Sequence, residues 1–267
     1  MWIHALILAL VGCSPVSRDT ILMIDISGSM SREVSPASTR MAVVQEATRS
    51  LVPLLLLEEE DNLTDRVGVV TFVAGAELWA PLTDIEDAGA RADLDEQLET
   101  LDWCDRGYDP WDTVHGGAYF HSAPQMLGCD THQEGGPSES PNDAGTAHRD
   151  GLLLSTEVLL DARERRRAGA IILFTDTTPR CVPHSDDCSA RLYDEASEAA
   201  QAADNVGIEV HVVYFEADDF PDGAEQMCAL ASPDYTGSDC VTDNPRFSDY
   251  DTGSVPIDVQ SIVEVLP

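Results

Sequence analysis

The 267-residue chain is long enough for one large α/β domain with a full core or for two small ones, and no linker-like stretch divides it. Its formal net charge of -34 sets 49 acidic side chains against 15 basic ones, every one of them arginine. So large an excess of carboxylate repels phosphate backbones and anionic headgroups, which argues against nucleic-acid binding and electrostatic membrane docking. The absence of lysine excludes a P-loop and a pyridoxal-phosphate Schiff base.

The first segment, MWIHALILALVGCSP, holds an apolar run from Ala5 to Val11. It is too short to cross a bilayer as a helix, which takes about 20 apolar residues. It reads as a secretory signal, with an N-terminal core strand as the alternative. "LVGC" resembles the bacterial lipobox, although only the amino terminus and His4 offer positive charge ahead of it. That resemblance implies a lipoprotein signal peptide over 1–12, acylation of Cys13, a lipidated tether over 13–18 and a single domain over 19–267. It also implies a place in the bacterial cell envelope, anchored to the membrane through lipid alone. With Ser14 rather than Asp after the cysteine, the outer membrane or cell surface is favoured. Six of the seven cysteines remain: Cys104, Cys129, Cys181, Cys188, Cys228 and Cys240. An even set points to disulfides and an oxidising compartment. Pairing neighbours (Cys104 with Cys129, Cys181 with Cys188, Cys228 with Cys240) is the simplest of 15 connectivities. A zinc site is disfavoured, since no C-x2-C pair occurs and His184 has no partner at ligand spacing.

In chain order, Thr20 to Ile24 reads as a buried strand, and Arg40 to Leu57 as a helix with Met41, Val44, Ala47, Leu51, Leu54 and Leu55 at helical spacing. DRVGVVTFVAG (65–75) and ELWAPLT read as two strands joined by a tight connection, and DIEDAGARADLDEQLETL as a helix. From Asp102 to Asn142 the pattern dissolves into a polar, Gly- and Pro-rich segment, longer than compact domains carry without a purpose. GTAHRDGLLLSTEVLLDA restores a helix, with Leu152, Leu153, Thr156, Leu159 and Leu160 assigned to its apolar face. GAIILFTDT (169–177) is a second apolar strand ending on an aspartate. A helix over Ala190 to Asp204, a strand over 208–215, a short helix around Ala224 to Ala231 and an amphipathic IDVQSIVEVL complete the chain. Apolar strands alternating with helices imply an α/β fold with a doubly wound, mostly parallel, Rossmann-like central sheet flanked by helices. Ligands of such sheets bind beyond the carboxyl ends of the strands.

Asp25 and Asp176 each follow a buried strand and therefore reach the same rim, while Ser27 and Ser29 follow Asp25 in a turn that Gly28 should tighten. Two carboxylates and two hydroxyls make a hard oxygen cage for Mg2+ or a similar divalent ion. DISGS has the D-x-S-x-S form of the metal-ion-dependent adhesion site, and the element order resembles a von Willebrand factor A domain. By that resemblance GTAHRDGL is the second metal loop and places its threonine at Thr146, and LFTDT is the third and supplies Asp176. The 103–143 segment becomes an insertion before the second loop, with Cys104 and Cys129 as its staple. The resemblance further implies that Ser27, Ser29 and Thr146 contact the metal directly, whereas Asp25 and Asp176 act largely through water or by switching. Mn2+ or Ca2+ could replace Mg2+.

Each part has a plainer reading. Asp-x-Ser-Gly-Ser after a strand is also a turn and helix cap, and Thr146 could be only an N-cap. Joined, the three loops imply a non-enzymatic domain whose metal coordinates an Asp or Glu of a protein partner. The alternatives are a structural or calcium-stabilised envelope protein without ligand capture, and a hydrolase using the insertion. A phosphatase-like D-x-D fails because Ser27 stands at the second aspartate, and no G-x-S-x-G elbow occurs. His115, His121, His132 and His148 read as surface or loop residues. The acidic stretches DNPRFSDYDTG and EADDFPDG lack the EF-hand spacing.

Overall fold

The computed structural model describes residues 17–35, 38–56, 65–73, 75–103, 147–163, 167–179, 186–215, 223–231, 238–250, 257 and 259–266. Its strands are β1 (Ser17–Asp25), β2 (Glu33–Ser35), β3 (Ser38–Thr39), β4 (Arg66–Phe72), β5 (Ala76–Asp84), β6 (Arg167–Thr175), β7 (Ile208–Phe215) and β8 (Phe247–Tyr250). Its α-helices are α1 (Arg40–Leu54), α2 (Ala88–Glu99), α3 (His148–Asp161), α4 (Asp186–Asn205), α5 (Gly223–Ala231), α6 (Ser238–Asp243) and α7 (Val259–Glu264).

Six strands form one sheet in the order β5-β4-β1-β6-β7-β8, while β2 and β3 make a separate hairpin. β4, β1, β6, β7 and β8 run parallel, and β5 is an antiparallel edge on β4. The doubly wound, mostly parallel expectation is met. From β1 the chain passes to β4 on one side, and β6 lies on the other, so the order reverses at the carboxyl ends of β1 and β6. That reversal opens the crevice where such sheets bind ligands.

Alternation along the strands divides the interior into two layers. Leu22, Ile24, Val67, Val69, Ile172, Phe174 and Val213 pack under α1, α2 and α7 with Leu51, Leu94, Leu98 and Ile262. Ile21, Met23, Val70, Phe72, Ile171, Leu173 and Tyr214 pack under α3, α4 and α5 with Leu152, Leu159, Ala196, Ala203 and Met227. α3 lies close on β1 because it crosses at Gly151, where a Cβ would come within 2.2 Å of the Met23 Cε.

β1 begins at Ser17 rather than Thr20, so Ser17 and Arg18, expected in the tether, belong to the sheet. Ion pairing makes this polar start tolerable. Asp19 accepts from Arg66 at 2.8 Å and from Arg167 at 2.6 Å, and the Arg18 amide donates to the Asp65 carboxylate at 2.7 Å. α1 stops at Leu54, after Pro53, instead of running to Leu57. On α3 the buried stripe is His148, Gly151, Leu152, Ser155 and Leu159, whereas Leu153 and Leu160 are exposed. One residue of helix is about 100° of rotation, which turns both leucines off the core face. α4 starts at Asp186, four residues before the expected Ala190. The hairpin, α6 and β8 were not anticipated, and the acidic stretch considered for calcium contains β8. Of the paired cysteines, Cys228 and Cys240 form a disulfide that ties α5 to α6. The proposed Cys104 with Cys129 and Cys181 with Cys188 pairs, Cys13, the 1–12 signal and nearly all of the 103–143 insertion lie outside the described residues. No helix among the described residues is long and apolar enough to cross a membrane.

Candidate metal centre

Parallel pairing sets β1 beside β6 and brings Asp25 and Asp176 to the same end of the sheet. After Asp25 the chain makes a 3-10 turn, Gly28–Ser31, that aims two hydroxyls back toward the strand ends. Gly28 is not in the left-handed region; among the described glycines a positive φ occurs at Gly207, at 76°. The turn is fixed by backbone bonds, from the Met30 amide to the Ser27 carbonyl and from the Arg32 amide to the Ser29 carbonyl, both at 3.0 Å.

A chain of oxygens crosses from the first loop to the third. Ser27 Oγ lies 2.9 Å from Ser29 Oγ, and Ser29 Oγ donates to Asp176 Oδ1 at 2.7 Å. Ser27 begins the turn but its side chain makes no capping bond, so a pure cap does not account for it. Asp25 Oδ1 accepts the Ser27 amide at 2.8 Å, which is the local turn expected of such a residue. Its Oδ2 accepts the hydroxyls of Thr175 at 2.7 Å and Thr177 at 3.2 Å.

The carboxylates do not stand on an open rim. Asp25 and Asp176 are fully buried beneath the half-exposed serines. Burial pushes the Asp25 carboxyl above the usual range against its hydrogen bonds. Burial, then the neighbouring Asp25, pushes Asp176 the same way, despite Ser29 and Arg40. Among the described residues Asp25 has no cationic partner. The expected ligand Thr146 lies outside the described residues; α3 begins at His148 after Ala147, whose amide donates to the Val73 carbonyl.

Four contributors were not anticipated. Arg40, the first residue of α1, is buried and donates from Nη1 to Asp176 Oδ2 at 2.5 Å. Thr175 and Thr177 flank Asp176 in sequence but serve Asp25, a role that hydroxyls on either side of a strand-end aspartate could have suggested. His148 was read as a surface or loop residue, yet it is fully buried, with Nε2 3.2 Å from Thr175 Oγ1 and its ring against Phe72. Its place on the inner stripe of α3 follows from helical period, although Arg149 and Asp150 follow it directly in sequence and disguise it. His115, His121 and His132 lie outside the described residues.

Four oxygen-bearing side chains, two of them buried acids short of positive charge, suit a hard divalent ion rather than a sulfur- or imidazole-seeking one. Among the described residues no three His, Cys, Asp or Glu side chains gather as a metal cluster. A site here would therefore depend on the hydroxyls of Ser27 and Ser29.

The fold is that of von Willebrand factor A domains, and the cluster lies at the carboxyl end of its parallel strands. Residues 20–123 match the family model described as the von Willebrand factor type A domain, a stretch that includes Asp25, Ser27 and Ser29. Among solved structures, BatB from Bacteroides thetaiotaomicron aligns at TM-score 0.55 and 17% identity over 93% of this chain and 96% of its own. An aerotolerance-related membrane protein from Bacteroides fragilis aligns at 0.51 and 16% over 93% and 99%. Proximal thread matrix protein 1 from the mussel byssus, solved with a zinc-occupied MIDAS motif, aligns at 0.51 and 12% over 94% of this chain and 46% of its own. At these identities the likeness establishes the fold. No curated protein matches the sequence.

Proposed function

We propose that this chain is a von Willebrand A-type binding domain of the bacterial envelope that holds a divalent cation at its sheet-end pole and captures an acidic residue of a protein partner. The observation that carries the reading is the convergence at the switch point of Ser27, Ser29 and Asp176 through 2.9 and 2.7 Å contacts, with Asp25 joined through the Ser27 amide at 2.8 Å. Ser27 and Ser29 would bind the ion directly, with Thr146 as the third hydroxyl, and Asp25 and Asp176 would supply negative charge from beneath. A bound ion would supply an open coordination position for a carboxylate; the chain itself supplies its orientation and a buried counter-charge. Mg2+ is the first candidate, with Mn2+ or Ca2+ as alternatives. The role is one of binding, without turnover.

The likeness to a membrane protein and to a protein with an occupied metal site supports an exported location and a metal-binding pole. Lipidation at Cys13 belongs to the same proposal and predicts a mature chain that starts at that residue. The 103–143 insertion, ending just before the second loop, would border the partner surface with Tyr108, Trp111, Tyr119 and Phe120. A second reading has an observation of its own. The Arg40–Asp176 pair ties the first and third loops without any metal, as a purely structural pole would require. Pulldown from envelope extract in Mg2+ and in chelator separates the two: capture lost in chelator is expected, and capture equal in both overturns the metal-dependent reading.

A further inference from the structure

Arg40 is an unexpected residue at its position. It opens α1, where the helix dipole is positive, and its side chain is only 5% exposed. A cation at a helix N-terminus is disfavoured, and a buried one needs a close anion. Its anion is Asp176, at 2.5 Å from Nη1, while its Nε is buried without a hydrogen-bond partner. The main chain at Arg40 is tied to the first loop, since its amide donates to the Arg32 carbonyl at the end of the 3-10 turn, at 3.0 Å.

We propose that Arg40 is a resident cation of the metal centre, which neutralises Asp176 in the metal-free chain and competes with a divalent ion for it. The proposal rests on the reading of Asp25, Ser27, Ser29 and Asp176 as a metal centre. Asp176 accepts from Ser29 on Oδ1 and from Arg40 on Oδ2, so a cation drawn to this carboxylate meets the guanidinium beside it. Formal charges set the direction. Asp25, Asp176 and Arg40 together carry one negative charge. A divalent ion brings the pole to one positive charge, which a single partner carboxylate would neutralise. Without Arg40 the same ion would leave the pole neutral, so Arg40 weakens the ion's hold while keeping the loaded pole attractive to an anion in a chain of net charge -34.

The test compares wild type, Arg40→Gln and Arg40→Lys by Mn2+ calorimetry and by thermal melting in EDTA and in Mg2+. Arg40→Gln should bind Mn2+ about tenfold more tightly or better, because one repelling charge beside the ion is gone. It should melt lower than wild type in EDTA and recover in Mg2+, since an ion that binds only the folded chain stabilises it. Arg40→Lys keeps the charge and should stay within about threefold of wild-type affinity by the same Coulomb argument. Should Arg40→Gln fail to fold in EDTA, folding on addition of Mg2+ is expected, and failure to fold in saturating Mg2+ overturns the proposal. Wild-type binding with no gain in Arg40→Gln overturns the role of Arg40 and leaves the metal centre standing. Absence of Mn2+ binding to wild type and Arg40→Gln alike overturns both.

Discussion

Replacing Asp25 separates the proposed metal role of its carboxylate from its structural role, provided that two substitutions are compared. The side chain accepts the Ser27 amide on Oδ1, and the Thr175 and Thr177 hydroxyls on Oδ2. In Asp25→Ala the hydroxyls have other outlets. Thr175 can turn to the Thr177 carbonyl, 3.1 Å away, and Thr177 is half-exposed. The Ser27 amide has none, and an orphaned donor costs about 1–3 kcal/mol, or about 2–12 °C in Tm for a domain of this size. Asp25→Asn keeps an oxygen for that amide and removes a charge whose burial is unfavourable. Its stability should stay within about 1 kcal/mol of wild type. The sign with pH supports this. The folded carboxyl titrates above its unfolded value of 3.8, so its contribution is present below that value and lost as pH rises through the higher one. Above that higher value the ionised group is a liability, which asparagine removes. Both variants should lose Mg2+ binding by at least about tenfold, since neither offers the negative charge a divalent ion requires. Calorimetry and melting in EDTA read the two effects. Unchanged Mg2+ affinity in Asp25→Asn would refute the site, and an Asn variant less stable than the Ala variant would refute the hydrogen-bond account.

The Cys228–Cys240 bridge closes a separation of 12 residues, and its loss in a Cys228→Ala/Cys240→Ala variant should lower stability by about 3 kcal/mol, measured by urea titration; an unchanged midpoint would contradict this. A Cβ at Gly151 would meet Met23 Cε at 2.2 Å; Gly151→Ala adds that atom alone, which the flexible thioether end can evade, while Gly151→Val adds two γ-methyls as well and should destabilise by about 1–3 kcal/mol. Equal melting of the two would show that α3 does not sit where the packing puts it. His211 is buried on β7, facing Glu209 at 3.4 Å and the guanidiniums of Arg246 and Arg18. Burial holds it below its ordinary value of 6.5, against the pull of Glu209, so its contribution is complete above that value and falls as pH drops through the lower one. A denaturation series from pH 8 to 5 should show this loss in wild type and a flatter profile in His211→Leu; parallel profiles would assign the acid sensitivity elsewhere.

The amino-acid sequence determined the layers and the pole. Unbroken apolar runs at Ile21 to Ile24 and Ile171 to Phe174 require burial on both faces, and such strands alternating with helices leave few topologies besides a parallel sheet. An aspartate closing each run then lies at one end of that sheet, and serines two and four residues beyond Asp25 lie beside it. These are local or periodic properties, carried by residues close together in the chain. Other features depended on folding. Arg40 meets Asp176 across 136 positions and Thr175 meets Asp25 across 150, and no period links either pair. β8 is four residues long and polar in half of them, so its strand character comes from the exposed edge of β7 rather than from its own pattern. His148 is buried because α3 presses the face that includes Gly151 onto β1, a contact that only tertiary packing creates. Composition and periodicity encode which surfaces must leave water; which charges meet once they have left is decided by the geometry of the packed sheet.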